Sequence, residues 1–151
     1  GEQKVFLDGE DVSEAIRTPA ASMMASAVSA KPPVRAFLLE MQRKLARENN
    51  VVMDGRDIGT TVFPNAELKI FMTADPMIRA QRRAAEMTAK GIEVDIQDVL
   101  KNLQERDYID SHREASPLSQ AEDAIVLDNS HMTMEDQLVW LKDIISERFG
   151  C

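Results

Sequence analysis

Asp54-Gly55-Arg56-Asp57-Ile58-Gly59-Thr60 sets two carboxylates and a guanidinium within four residues, beside glycines that let backbone approach a ligand closely. The apolar run Val51-Val52-Met53 leads into it and reads as a short buried strand, so Asp54 projects from a strand end. A carboxylate there can hold a hydrated Mg2+, and an arginine beside it can clamp a phosphate. The same residues also suit a tight turn closed by an Arg–Asp ion pair, because glycine-flanked acids are common in turns.

Arg106, Asp110 and Arg113 form a second constellation. On one helix, offsets of four and seven residues place all three within about 60° of one another, next to the apolar stripe. Two guanidiniums flanking a carboxylate can take phosphate oxygens and a ribose hydroxyl together. An exposed Arg–Asp pair at i,i+4 is the plainer reading of the same spacing. Arg79, Arg82 and Arg83 make a third cluster, opposite an apolar face of Met77, Ala80, Ala84 and Met87, and read from spacing as a solvated basic face. His112 and His131 have no metal-ligand partners at useful spacing, and no Gly-x-Ser-x-Gly elbow is present, so zinc and serine hydrolase chemistry are disfavoured.

The elements that must position these residues alternate between strands and helices. Lys4 to Leu7 reads as a strand ending at the Asp8-Gly9 turn, residues 19–30 as a helix, and Pro32-Pro33 as the start of a helix running to about Glu48. That helix carries Val34, Phe37, Leu38, Met41 and Leu45 on one stripe. Leu68 to Thr73 reads as a strand and Asp75-Pro76 as a capped helix start, with Gly91 as its stop. Asp95 caps a further helix bearing Ile96, Val99, Leu100 and Leu103. Ala124 to Leu127 reads as a core strand. Thr133 with Asp136 then forms a capping box for a last helix, with Leu138, Leu141 and Ile145 inward. Short apolar strands separated by helices predict an α/β domain with a mostly parallel sheet, whose ligands bind at the carboxyl ends of the strands. Asp54 and Asp128 both fall at such ends.

The 151 residues are 44% hydrophobic and 29% charged, which suits a globular domain and excludes a disordered chain. No apolar run approaches the length of a membrane span. The net charge of −8 argues against a general grip on duplex nucleic acid. The charge is unevenly distributed. Residues 119–151 hold seven carboxylates against Lys142 and Arg148, whereas six arginines fall between 56 and 113. Such an arginine surplus on an acidic chain suggests an anionic ligand. The single cysteine, Cys151, allows no internal disulfide, and with no basic-then-apolar leader at the start the expected location is cytoplasmic.

Taken in order, Val52 to Thr60 and Val62-Phe63-Pro64-Asn65-Ala66 resemble the strand and loop of bacterial cytidylate kinases. Glu105-Arg106-Asp107, through Asp110 and Arg113 to Ser116-Pro117-Leu118, resembles their lid-side helix. Leu7 to Ser13, with Ile16-Arg17-Thr18, resembles the end of their CMP-binding insert. The resemblance runs from about residue 3 to 149. It implies a P-loop nucleoside monophosphate kinase-like parallel sheet flanked by helices. Residues 1–30 would be the end of the insert and 31–151 the C-terminal part of the core, with a lid at about 76–113. The implied reaction is transfer of the ATP γ-phosphoryl group to CMP or dCMP with Mg2+, by a protein that is a monomer when full length.

Residue by residue, the resemblance assigns Ser26, Arg35 and Asp57 to the cytosine edge and Arg56 to the phosphate of the acceptor. Arg106 and Asp110 fall near its ribose and Arg113 near the phosphates on the lid side. Arg56, Arg106 and Arg113 are thus the implied catalytic residues. Arg79, Arg82 and Arg83 belong to the lid, and Asp54 to the water shell of Mg2+. The family's Gly-x-x-x-x-Gly-Lys-[Ser/Thr] phosphate loop has no counterpart in these residues. The expectation is therefore a fold incomplete at its N-terminus. Its missing first strand would lie between 51–54 and 68–73, a companion N-terminal piece would close the core, and the chain alone would be inactive. A CMP-binding module without kinase activity, or a scaffold partner that keeps only the fold, are the alternatives.

Overall fold

The computed structural model describes residues 4–150, so residues 1–3 and Cys151 lie outside the described residues. The chain divides into two compact units, residues 1–53 and 54–151. The helix beginning at Pro32 belongs to the first compact unit.

In the first unit, β1 (Phe6–Leu7) and β2 (Glu10–Asp11) form an antiparallel hairpin with Phe6 opposite Asp11. Asp8 and Gly9 turn it with φ of 50° and 87°, a left-handed pair that aspartate and glycine tolerate. A 3-10 turn at Ala15–Arg17 leads to α1 (Pro19–Ser29), where the Thr18 hydroxyl accepts the Ala21 N–H. α2 (Pro32–Glu48) follows and packs against α1. The expected stripe on α2 is only partly covered, since Phe37 stays 70% exposed while Val34 and Leu38 are half-buried. Val51–Met53 does not form the buried strand expected of it. The segment is irregular and Val52 is fully exposed, because no strand among the described residues lies alongside to take its backbone groups.

In the second unit, β3 (Ile70–Thr73) and β4 (Ile125–Asp128) pair in parallel, with Ile70 opposite Ile125 and Thr73 opposite Asp128. α3 (Pro76–Ala89) and α4 (Ile96–His112) pack on one another. Asp75 caps α3 by accepting from Met77 N and Ile78 N, and Asp95 caps α4 by accepting from Gln97 N. Gly91 leaves α3 at φ 75°, as expected of a stop. α5 (Met134–Phe149) opens with the expected capping box. The Thr133 hydroxyl accepts Asp136 N at 3.1 Å, and Asp136 Oδ2 accepts Thr133 N at 2.8 Å. Leu138 faces outward, whereas Leu141 and Ile145 are half-buried.

Among the described residues of this unit, Val62, Ala80, Val99 and Leu127 are the buried apolar ones, one each from the turn after Asp57, α3, α4 and β4. Asp57 and Asp110 are buried among them. Among the described residues no helix is long and apolar enough to cross a membrane.

Candidate functional site

Asp110 sits on the inward face of α4, in register with Val99, Leu103 and Arg106, and is 3% exposed. Its Oδ2 accepts the Arg56 Nε–H at 2.8 Å and lies 3.8 Å from Arg106 Nε. A buried carboxylate is stable only with its charge compensated, and two guanidiniums supply that here. The plainer reading of an exposed i,i+4 pair is therefore excluded. Arg56 remains two-fifths exposed, so its outer face is open while its Nε is held.

Arg113 differs from the sequence expectation. α4 ends at His112, and Arg113 takes extended backbone, φ −66° and ψ 144°, so it does not share a helical stripe with Arg106 and Asp110. Its Nε donates to the Ser116 carbonyl at 2.8 Å, and its Nη2 lies 3.8 Å from Asp57 Oδ1. That Nη2 is buried and makes no hydrogen bond, an uncommon state for a guanidinium nitrogen.

Asp57 is buried where a π-helical turn, Ile58–Val62, begins. Its carbonyl accepts from both Thr61 N and Val62 N, a wide turn of the kind that recurs at functional sites. Gly55 precedes this turn and Gly59 lies within it, where a Cβ would stand 3.4 Å from the Lys69 side chain. The Lys69 side chain is 7% exposed, with its Nζ donating to both oxygens of Asp123 and to the Pro64 carbonyl, which fixes the loop beyond the π turn. Arg56, Asp57, Arg106, Asp110 and Arg113 are thereby joined in one unit by two clusters of ion pairs: three guanidiniums against two carboxylates, an excess of positive charge suited to an anion.

Asp54 stands exposed at the head of this loop, and its carboxylate makes no hydrogen bond or ion pair with the described residues. Among the described residues no group of three potential ligands gathers to hold a metal directly. A single open carboxylate fits Mg2+, which keeps most of its waters and takes one or two protein carboxylates beside substrate phosphates.

The three arginines of α3 have separate protein partners. Arg79 makes a two-point pair with Asp107 of α4. Arg82 donates to the side chain and carbonyl of Asn129 and to the Ser130 carbonyl, which ties α3 to the loop after β4. Arg83 pairs with Glu86 one turn on. No local sequence pattern joins Asp107 or Asn129 to these arginines, since 28 and 47 residues separate them. In the first unit, Arg35 Nη1 donates to the Ser29 carbonyl at 3.5 Å, and Ser29 Oγ donates to the Ser26 carbonyl at 3.0 Å. Ser26 and Arg35 thus both belong to the corner between α1 and α2.

A parallel β3–β4 pair alternating with helices makes this an α/β domain, and the family match places it in the P-loop nucleoside monophosphate kinase class. A cytidylate kinase family model matches residues 1–146, and the chain belongs to the cytidylate kinase family. It is 51% identical over 150 residues to a cytidylate kinase of Bacteroides thetaiotaomicron, covering 99% of this chain and 64% of that protein. It is 48% identical to one of Parabacteroides distasonis over 150 residues, covering 99% and 66%, and 47% identical to one of Lactobacillus gasseri over 148 residues, covering 98% and 64%. The chain thus spans just under two thirds of the length of these relatives.

Proposed function

We propose that the full-length gene product transfers the γ-phosphoryl group of ATP to CMP or dCMP, giving the diphosphate and ADP, in the cytoplasm and as a monomer. The observation that carries this reading is the pairing of buried Asp57 with Arg113 beside the Arg56–Asp110–Arg106 cluster, in a chain of this family. Asp57 would accept the exocyclic amine of cytosine, the edge to which the family resemblance also assigns Ser26 and Arg35. A uracil oxygen in the same place would meet a carboxylate and be rejected. Arg56, whose Nε is already held by Asp110, would present its free face to the acceptor phosphate. Arg106 and Asp110 would meet the ribose, and Arg113 the phosphate. When bound, Mg2+ near Asp54 would supply charge neutralisation on the phosphates. Phosphoryl transfer needs little covalent chemistry from protein, so holding and neutralising both nucleotides is the work these residues do.

Arg79, Arg82 and Arg83 belong to a lid in this reading, and their present partners are the contacts that closure would exchange for ATP phosphates. The deciding experiment is a coupled ADP-release assay of the full-length gene product with ATP and Mg2+. Turnover with CMP and dCMP well above that with UMP or AMP is expected; equal rates with all four, or none, would contradict it.

A further inference from the structure

We propose that Ser116 is a positioning residue that aims Arg113, a role resting on the phosphoryl-transfer reading above. Among the described residues, only Asp8 and Ser116 hold positive φ without being glycine. Asp8 occupies a hairpin turn, where aspartate is at home. Ser116, at φ 51°, occupies the turn between α4 and Pro117, and the residue before a proline is already restricted. A non-glycine residue held there signals a local demand that the surroundings enforce.

The demand is visible in the hydrogen bonds. The left-handed residue points its carbonyl back at Arg113, whose Nε–H it accepts at 2.8 Å. Two positions on, Leu118 N–H donates to the Asp110 carbonyl at 2.7 Å, and Arg113 N–H donates to the Ile109 carbonyl, so the turn is sewn onto the last turn of α4. With Nε fixed, the guanidinium plane is fixed, and Nη2 is left beside Asp57, buried and without a hydrogen-bond acceptor. A buried donor left unsatisfied is costly unless a ligand completes it. The Ser116 carbonyl therefore holds an arginine ready for an acceptor that arrives with substrate, and the chemistry of that acceptor is a phosphate oxygen. The serine hydroxyl plays no part in this; the backbone conformation does.

The test uses the full-length gene product as wild type, Ser116→Val, Ser116→Gly, Arg113→Ala and Ser116→Val/Arg113→Ala, with CMP kinetics and calorimetric CMP affinity. Valine resists positive φ and glycine accepts it. Ser116→Val should lower kcat/KM for CMP by roughly 10- to 100-fold, the scale of a small misplacement at a reacting centre. Ser116→Gly should stay within about threefold of wild type, a rescue that a lost hydroxyl contact would not give. On the Arg113→Ala background, Ser116→Val should cost less than about twofold, because the residue it acts through is gone. If Ser116→Val does not fold, Ser116→Thr, also β-branched, carries the same comparison.

Undiminished loss on the Arg113→Ala background, wild-type kinetics in Ser116→Val, or equal damage from valine and glycine would each overturn the positioning role. A wild-type protein that neither binds nor phosphorylates CMP would overturn the functional reading itself, and this role with it.

Discussion

The Nε–H of Arg56 donates to Oδ2 of Asp110 at 2.8 Å, joining the loop after residues 51–54 to the buried face of α4 across 54 positions of sequence. Asp110 is enclosed and Arg56 is two-fifths open, so the carboxylate gains compensation while the guanidinium keeps a free face. That asymmetry suits a residue held ready for an anion.

Asp110→Asn should therefore destabilise the fold and weaken CMP together. The amide keeps the size of the side chain but leaves Arg56 and Arg106 without a counter-charge. Since Arg56 is partly solvated, a loss of about 1–3 kcal/mol is expected by urea unfolding. A variant as stable as wild type would show that the cluster is not holding the loop.

Much of the helical architecture was legible because its signals are local. Asp75-Pro76, Asp95 and the Thr133/Asp136 box each act within four residues, and all three sit where the sequence put them. Val51–Met53 failed for the opposite reason: apolar character suggests a strand, but a strand exists only through a neighbour, and none lies beside it among the described residues. Arg113 leaves the helix because the Ser116-Pro117 pair disfavours helix just upstream, a constraint that the offsets of four and seven do not carry. The Arg79–Asp107 and Arg82–Asn129 contacts depend on how α3 meets α4 and the loop after β4, which no local spacing encodes.

Arg79 can be tested for its two roles at once. Its pairing with Asp107 across α3 and α4 raises the guanidinium pKa further, through that hydrogen bond first. Being partly exposed on both sides, the pair should contribute only about 0.5–1 kcal/mol of coupling in a thermal double-mutant cycle of Arg79→Ala and Asp107→Ala. If Arg79 also serves the lid, its loss should raise KM for ATP, while Asp107→Ala should not. Equal KM effects from both would reduce Arg79 to a helix clamp.

Acid should destabilise the second unit through its exposed caps and bridges. The Thr133 hydroxyl and N–H hold the Asp136 carboxyl below its usual 3.8, Ser130 does the same for Asp128, and Lys69 for Asp123. A carboxyl lowered by folding contributes stability that is fully present above its unfolded value and lost as pH falls through the folded one. Melting temperatures should thus hold through neutral pH and drop below about pH 4, and Asp136→Asn should flatten part of that drop. An unchanged acid limb in Asp136→Asn would remove the capping box from the account.

The central claim is that Asp57, buried beside Arg113, reads the cytosine edge, and the most direct test is the ratio of kcat/KM for CMP to that for UMP in Asp57→Ala. Losing one charged hydrogen bond in a desolvated site costs about 2–4 kcal/mol, so the CMP value should fall by roughly 30- to 1000-fold. The UMP value should fall far less, narrowing the ratio, while Arg106→Ala, which meets sugar in this account, should weaken both substrates about equally. A Asp57→Ala enzyme that keeps the wild-type preference for CMP, or loses UMP turnover just as steeply, would show that Asp57 serves only to hold Arg113 and its loop in place.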